Sequence, residues 1–232
     1  MFKFSLVIPV YNEDKNLNFL LDEITSCLDI NEIIYEIIVV NDFSNDNTKQ
    51  ILFSKKNIIK NLVIINNSKN LGQSESILIG VKSSKYNTIV TMDGDGQNSP
   101  KDISILLLKF FSDENLKLVS GIRRKRQDSI IKIISSKIAN KIRKTILNDN
   151  CDDTGCSLKV FDKNIFLSFE FFNGIHRFIP ALFGGYGYKA AFLEVEHRSR
   201  KYGFSKYGVT GRLFKGIVDM IRVYKIINKR KK

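Results

Sequence analysis

The chain has 232 residues, 43% of them hydrophobic and 26% charged, an ordinary balance for a globular protein able to bury one large core. Three cysteines (27, 151 and 156) form no C-x-x-C pair, and the only histidines are His176 and His197; this argues against a disulfide framework and a zinc or histidine-based metal site. The net charge of +13 lies mostly at the end, where His197–Lys232 holds twelve Lys/Arg against Asp219 alone, so the expected partner is anionic: nucleic acid, lipid headgroups or a phosphorylated substrate.

In chain order, Phe2–Val10 reads as a strand that stops at P-V-Y-N-E, and Asn12 is placed to cap a helix outlined by Leu17, Leu20, Leu21 and Ile24. Ile33–Val40 is a second apolar run, ending in N-D-F-S-N-D-N-T. Leu62–Ile65 is a third, followed by N-N-S-K-N-L-G-Q-S and a helical stretch to about Ser84. Thr88–Met92 is the fourth strand. Pro100 then opens a helix through Ile103, Leu106, Leu107 and Phe110, and Leu116–Ser120 is the fifth strand. Strand and helix alternating through short polar links predict right-handed βαβ units and a mostly parallel α/β sheet. Neither G-x-G-x-x-G after the first strand nor a Walker A loop is present, which disfavours a Rossmann dinucleotide site and a P-loop.

Beyond Gly121 come Arg123-Arg124-Lys125-Arg126, a helical stretch Ser129–Leu147 with isoleucines at 130, 134, 138, 142 and 146, and D-D-T-G-C-S-L-K-V-F. An aromatic-rich region with G-I-H-R-F-I-P precedes a strand at Ala190–Val195 and a basic terminal helix. The N-terminal apolar run is too short for a signal peptide, and no apolar run reaches 18 residues, so a cytoplasmic protein without a spanning helix is expected.

The chain is organised around T-I-V-T-M-D-G-D-G-Q-N-S-P (Thr88–Pro100). A buried strand there ends in two carboxylates, Asp93 and Asp95, interleaved with glycines and followed by Gln97. Ligands of open α/β sheets bind at the carboxyl ends of the strands. Two carboxylates and an amide oxygen suit Mg²⁺ or Mn²⁺ carrying a phosphorylated ligand; the plainer alternative is a polar turn.

In order, P-V-Y-N-E, N-D-F-S-N-D-N-T, N-L-G-Q-S, D-G-D-G-Q, G-I-R-R-K-R-Q-D, D-T-G-C-S-L-K and H-R-S-R-K-Y-G-F-S-K-Y cover nearly the whole chain. Together they resemble the family 2 glycosyltransferases and, within them, the dolichol-phosphate mannosyltransferase-like, or polyprenyl-phosphate glycosyltransferase, group. The resemblance implies a GT-A fold, a nucleoside-diphosphate sugar donor and a divalent metal. Asn41 stands where the family usually has the first aspartate of a D-D pair. The absence of Q-x-x-R-W, a motif of processive synthases, argues for transfer of a single sugar.

On that resemblance, Asp93, Asp95 and Gln97 form the metal–diphosphate site, with Asp95 also counted as catalytic. Glu13 and Asp42 would bond base edges and ribose, with Pro9 and Tyr11 packed on the base; for Glu13 an acid favoured by the helix dipole is the plain alternative. Asn70, Gly72 and Gln73 suit a loop beside the nucleotide. Arg123 and Arg126 could clamp phosphates through forked guanidinium donors, or form a solvated charge run. Asp153, or else Asp152, is the acid near the reacting sugar. His176 and Arg177 shape the acceptor channel or are structural, and Arg198, Arg200, Ser205 and Lys206 bind donor or acceptor phosphate.

The end of the chain separates into faces: Leu213, Ile217, Met220, Ile221, Tyr224 and Ile227 against Arg212, Lys215, Arg222, Lys225 and Lys229. It reads as an interfacial anchor on an anionic membrane, or as a helix docked on its own core. The division expected is a domain over 1–208 and a basic amphipathic segment over 209–232. The activity implied is inverting transfer of one sugar to a polyprenyl phosphate by a protein peripherally attached to the inner face of the membrane, where a membrane-protein partner can take up the product. The alternatives are a different acceptor, glycan or protein, and a sugar-nucleotide-binding protein with impaired catalysis. A nucleic-acid partner is disfavoured because no RNP-like motif appears and the charge lies beside amphipathic apolar residues.

Overall fold

The computed structural model describes residues 2–29, 33–123, 140–200 and 209–230, leaving aside the side chains of 209–215. Seven strands form one sheet in the order β3-β2-β1-β4-β6-β5-β7. They are β1 (Lys3–Val10), β2 (Ile34–Asn41), β3 (Leu62–Asn66), β4 (Thr88–Thr91), β5 (Leu116–Arg123), β6 (Lys159–Asp162) and β7 (Lys189–Val195). β1 pairs in parallel with β2 and β4, β2 with β3, and β5 with β7, while β6 runs antiparallel between β4 and β5.

The helices are α1 (Asp14–Leu28), α2 (Thr48–Lys56), α3 (Gln73–Ser83), α4 (Lys101–Phe111), α6 (Lys163–Leu167), α7 (Ile179–Gly185) and α8 (Val209–Arg230), with α5 helical over the described residues 140–147. Alternation along the buried strands divides the core between the two faces of the sheet. Phe4, Leu6 and Ile8 of β1 pack with Leu17 of α1, Leu52 of α2 and Ile103 of α4. Val7 of β1 and Ile38 of β2 face the other way, toward Ile77 of α3, Leu182 of α7 and Val223 of α8.

β6 is an addition to the expected strands: its four residues, beginning with a buried lysine, lack the length and apolar continuity that mark a buried strand. It closes the gap between β4 and β5 and puts the 152–157 turn beside the carboxyl end of β4. Asn12 does not cap α1. It takes φ +53, its side-chain oxygen accepts from the Asn45 N–H at 2.9 Å, and Glu13 occupies the cap position, its carboxylate on the Asn16 side chain and not on a backbone N–H of the first turn. The asparagine thus ties the ends of β1 and β2 together. Pro100 holds the position preceding the first turn of α4.

α8 divides its apolar residues between two surfaces. Val223, Ile226 and Ile227 are buried against the α7 side, while Ile217, Val218, Ile221 and Tyr224 are about half exposed. Among the described residues, no helix is long and apolar enough to cross a membrane.

Candidate functional site

The carboxyl ends of β1, β2 and β4 lie side by side, with Val10 level with Asn41 and Val7 level with Thr91. Met92 N–H donates to the Val7 carbonyl, so the chain leaves the sheet straight into the Asp93–Gln97 turn. Gly94 is required by close approach: a Cβ there would lie 2.5 Å from Val10 Cγ1. The Asp93 N–H donates to Ser157 Oγ (3.2 Å), and Ser157 Oγ donates to Asn98 Oδ1 (2.7 Å), fixing the turn against the loop before β6.

Asp93 is half-buried, and desolvation together with the charge of Asp95 pushes its carboxyl up to about 6. Its Oδ1 accepts from Gln73 Nε2 at 2.8 Å. Asp95 Oδ1 accepts the Gln97 N–H at 3.1 Å, and Arg200 Nη2 pairs with its Oδ2. Among the described residues no third His, Cys, Asp or Glu joins the two carboxylates. The donor set nevertheless fits a hard divalent cation. Two neighbouring carboxylates, one held up by desolvation and by the other's charge, would be relieved by such an ion, and Mg²⁺ commonly takes one or two carboxylates plus substrate phosphates and water. Gln97 is placed by its Nε2 donating to the Arg198 carbonyl at 3.2 Å.

Asp42, expected at the base or ribose, is buried and hydrogen-bonded within the protein. Its Oδ1 accepts the Leu71 N–H and Asn67 Nδ2, and its Oδ2 accepts the Gly72 N–H, each at 2.8 Å. Asn70 Nδ2 donates to the Asp42 carbonyl at 3.2 Å. The carboxylate therefore braces the N-L-G-Q loop. Gly72 sits at φ +87, ψ 165, a region open only to glycine, and delivers Gln73 to Asp93. Glu13 accepts from Asn16 Nδ2 at 2.8 Å while its N–H donates to Thr48 Oγ1. Pro9, next to last in β1, is level with Val40, and Tyr11 follows the strand, about one third exposed.

Arg123 and Asp153 form a two-pronged ion pair, Nε to Oδ2 at 2.6 Å and Nη2 to Oδ1 at 2.7 Å, reinforced by the Arg123 N–H on Oδ2. Asp153 is buried and committed to that arginine. Asp152 is exposed and pairs with Lys144 at the surface. Neither carboxylate is presented as a bare base, so Asp153 fits better as the residue that orients Arg123.

Arg198, expected at a phosphate, has protein partners here. It pairs with Glu23 of α1 (2.9 Å) and donates to Ser99 Oγ (2.9 Å), so it fastens the segment after β7 to α1 and to the loop before α4, whereas the neighbouring Arg200 reaches Asp95. Arg177 pairs with Asp219 of α8 at 2.7 Å, so it secures the terminal helix. His176 Nδ1 lies 2.6 Å from Ser74 Oγ at the start of α3, one residue from Gln73. Arg126, Ser205 and Lys206 lie outside the described residues.

Sequence reasoning missed Ser157, which holds Asp93, and Lys159 of β6. Lys159 is buried beneath the turn with its Nζ on the Cys156 carbonyl, and burial pulls its ammonium below the usual lysine range. The only signal for it was a charged residue inside D-T-G-C-S-L-K-V-F.

A model of glycosyl transferase family 2 matches residues 5–168. The dodecaprenyl-phosphate galacturonate synthase of Rhizobium johnstonii is 32% identical over 225 residues, covering 94% of this chain and 65% of that protein. The undecaprenyl-phosphate 4-deoxy-4-formamido-L-arabinose transferase of Proteus mirabilis is 35% identical, covering 88% of this chain and 63% of that protein. The chain thus spans just under two thirds of the length of these curated relatives. Among solved structures, glucosyl-3-phosphoglycerate synthase from Mycobacterium tuberculosis, in complex with Mn²⁺, uridine diphosphate and phosphoglyceric acid, superposes with a TM-score of 0.71 at 15% identity, covering 95% of this chain and 76% of that one. That likeness shows the fold, a GT-A-like α/β sheet. With more than half of its length matched by the family model, the chain belongs to glycosyl transferase family 2.

Proposed function

We propose that this protein transfers one sugar from a nucleoside-diphosphate sugar to a polyprenyl phosphate at a membrane surface, with inversion at the anomeric carbon and dependence on Mg²⁺ or Mn²⁺. The observation that carries the reading is the Asp93–Asp95 turn, at the carboxyl end of a parallel strand with Arg200 on Asp95. The relatives named for polyprenyl-phosphate sugar transfer align over most of this chain and support the choice of acceptor.

A divalent cation at Asp93 and Asp95, with Gln97 beside them, would neutralise charge on the departing diphosphate. The rest falls to the chain itself. Asp42 and Gly72 hold the loop that brings Gln73 to Asp93, while Pro9, Tyr11, Glu13 and Asn70 line the base and ribose side. Asp153 fixes the Arg123 guanidinium, which, with Arg200, offers forked donors to phosphate oxygens. Arg126, Ser205 and Lys206 join the phosphate-binding set, and His176 backs the loop through Ser74.

An oxygen of the acceptor phosphate forms a bond to the anomeric carbon as the bond from that carbon to the donor diphosphate breaks. The nucleoside diphosphate leaves with the electron pair. The acceptor phosphate, with a second pKa of about 6, is already largely anionic at neutral pH and requires no strong base. That agrees with Asp152 and Asp153 both being ion-paired.

The catalytic domain extends over 1–208, and the segment 209–232 lays Ile217, Val218, Ile221 and Tyr224 on the lipid surface with its lysines and arginines at anionic headgroups. This fits peripheral attachment to the inner face of the membrane and access there for a membrane-protein partner. Incubation of wild-type protein with labelled nucleotide sugars, Mg²⁺ or Mn²⁺, and either a short polyprenyl phosphate or the matching unphosphorylated polyprenol tests the proposal. Label should enter only the phosphorylated lipid. Transfer to the alcohol, or to neither lipid with every donor, would refute it.

A further inference from the structure

Phe43 stands between Asp42 and Ser44 at the end of β2 with φ +63, the left-handed region that a bulky side chain avoids. The other non-glycine residues at positive φ among the described residues are asparagines, which tolerate it. The backbone on both sides is fixed. Asp42 N–H donates to the Val10 carbonyl (2.8 Å), Ser44 N–H to Asn41 Oδ1 (3.1 Å), and Asn12 N–H to Ser44 Oγ (2.9 Å). Despite this strained backbone, the ring is 55% exposed, so its burial offsets little of the conformational cost. A strained residue whose side chain contributes little to the core points to a use outside it.

The position says what use. Val10 and Asn41 are level, so Tyr11 and Asp42 leave the sheet together and Phe43 follows one residue beyond Tyr11's neighbour. Through the Asp42 carboxylate the loop is joined to Gly72, and through Gln73 to Asp93. Two exposed aromatic rings therefore stand on adjacent strand ends beside the diphosphate turn, at the end of the sheet where the base of a bound nucleotide belongs. Every nucleobase offers a π-face to such a ring.

We infer that Phe43 is a base-contacting residue, a second aromatic surface beside Tyr11 that stacks on the nucleobase of the sugar donor. The inference rests on the nucleotide-sugar reading above and adds a residue which that reading does not use. It also gives a use to the strain at this position, at the end of β2 next to Asp42.

Glycine favours this backbone, so F43G removes the ring while relieving the strain, and separates a binding role from a folding role. Titrations of wild type, F43G and F43W with UDP, GDP and pyrophosphate, each with Mg²⁺, together with melting temperatures, form the test. F43G should melt at or above wild type, bind the preferred nucleotide about tenfold more weakly, and bind pyrophosphate unchanged; F43W should bind the nucleotide within about twofold of wild type. The inference is overturned by unchanged nucleotide affinity in F43G, by equal weakening for pyrophosphate, or by a lower melting temperature, which would make the ring part of the fold. Failure of wild type to bind either nucleotide would instead remove the nucleotide-sugar reading beneath it.

Discussion

Asp153 holds Arg123 in a two-pronged grip, with both guanidinium–carboxylate contacts under 2.8 Å and little of either side chain exposed. The arginine ends β5 and the aspartate sits in the turn before β6, so the pair fixes the two strands' loops to each other at the mouth of the site. Removing one partner leaves a buried charge uncompensated, so D153A should destabilise the protein by about 3 kcal/mol. R123K keeps the charge but not the fork; it should cost less stability and still slow transfer at least tenfold, roughly the loss of one oriented charge-assisted contact. Denaturant unfolding and initial-rate measurements on both variants check this.

Asp93 dictates a pH dependence. Its carboxyl is raised to about 6, so in the metal-free protein its ionisation opposes folding. Its contribution to stability is fullest below the ordinary aspartate range and is lost as pH rises through about 6. A cation reverses the sign, because it needs the ionised form. The rise in melting temperature on adding Mg²⁺ or Mn²⁺ should therefore be large at pH 8 and fade as pH falls through 6, and D93N should raise the metal-free melting temperature at pH 8 while abolishing the response to metal.

Gly72 links Asp42 at the end of β2 to the Asp93–Gln97 turn through its N–H and the Gln73 amide. Its φ of +87 with extended ψ is a glycine conformation, and the nearest atom to an added Cβ is Asn173 Nδ2 at 4.0 Å, so strain rather than a clash sets the penalty. G72A should lose about 1–3 kcal/mol of stability and weaken donor binding, as it displaces both the N–H on Asp42 and the Gln73 amide on Asp93. Calorimetric titration with a nucleoside diphosphate measures the second effect.

The two surfaces of α8 predict opposite phenotypes. Val223 is fully buried, so V223A should cost about 2 kcal/mol. Ile221 and Tyr224 are about half exposed, so the double change I221S/Y224S should leave the melting temperature within a degree or two of wild type. It should lower binding to anionic liposomes about tenfold or more, with the remainder abolished by high salt. Liposome sedimentation at two ionic strengths distinguishes the surfaces.

Much of this arrangement was legible in the chain. β1, β2, β4 and β5 announce themselves as apolar runs, and each ends in a polar motif that the parallel sheet gathers at one edge. What escaped was set by partners distant in sequence. That Asp42 accepts the Leu71 and Gly72 N–H groups could not be read from the chain, because they lie about thirty residues on. Arg198 and Arg200 are alike by sequence, but one meets Glu23 and the other Asp95. β6 was hidden because a four-residue strand starting with Lys159 has no periodicity of its own and exists only between β4 and β5. The helical spacing of α8 marked its apolar residues without saying which of them meet α7.

On the proposed function, Asp93 and Asp95 hold the cation on which sugar transfer to a lipid phosphate depends. Passage of label from a nucleotide sugar into organic-extractable polyprenyl phosphate, with wild type, D93A and D95A at saturating Mg²⁺ or Mn²⁺ and again after chelation, measures it directly. Wild type should transfer label with metal, either variant should lose at least a hundredfold, and chelation should abolish transfer. Transfer by D93A or D95A at the wild-type rate, or wild-type transfer that persists after chelation, would contradict it.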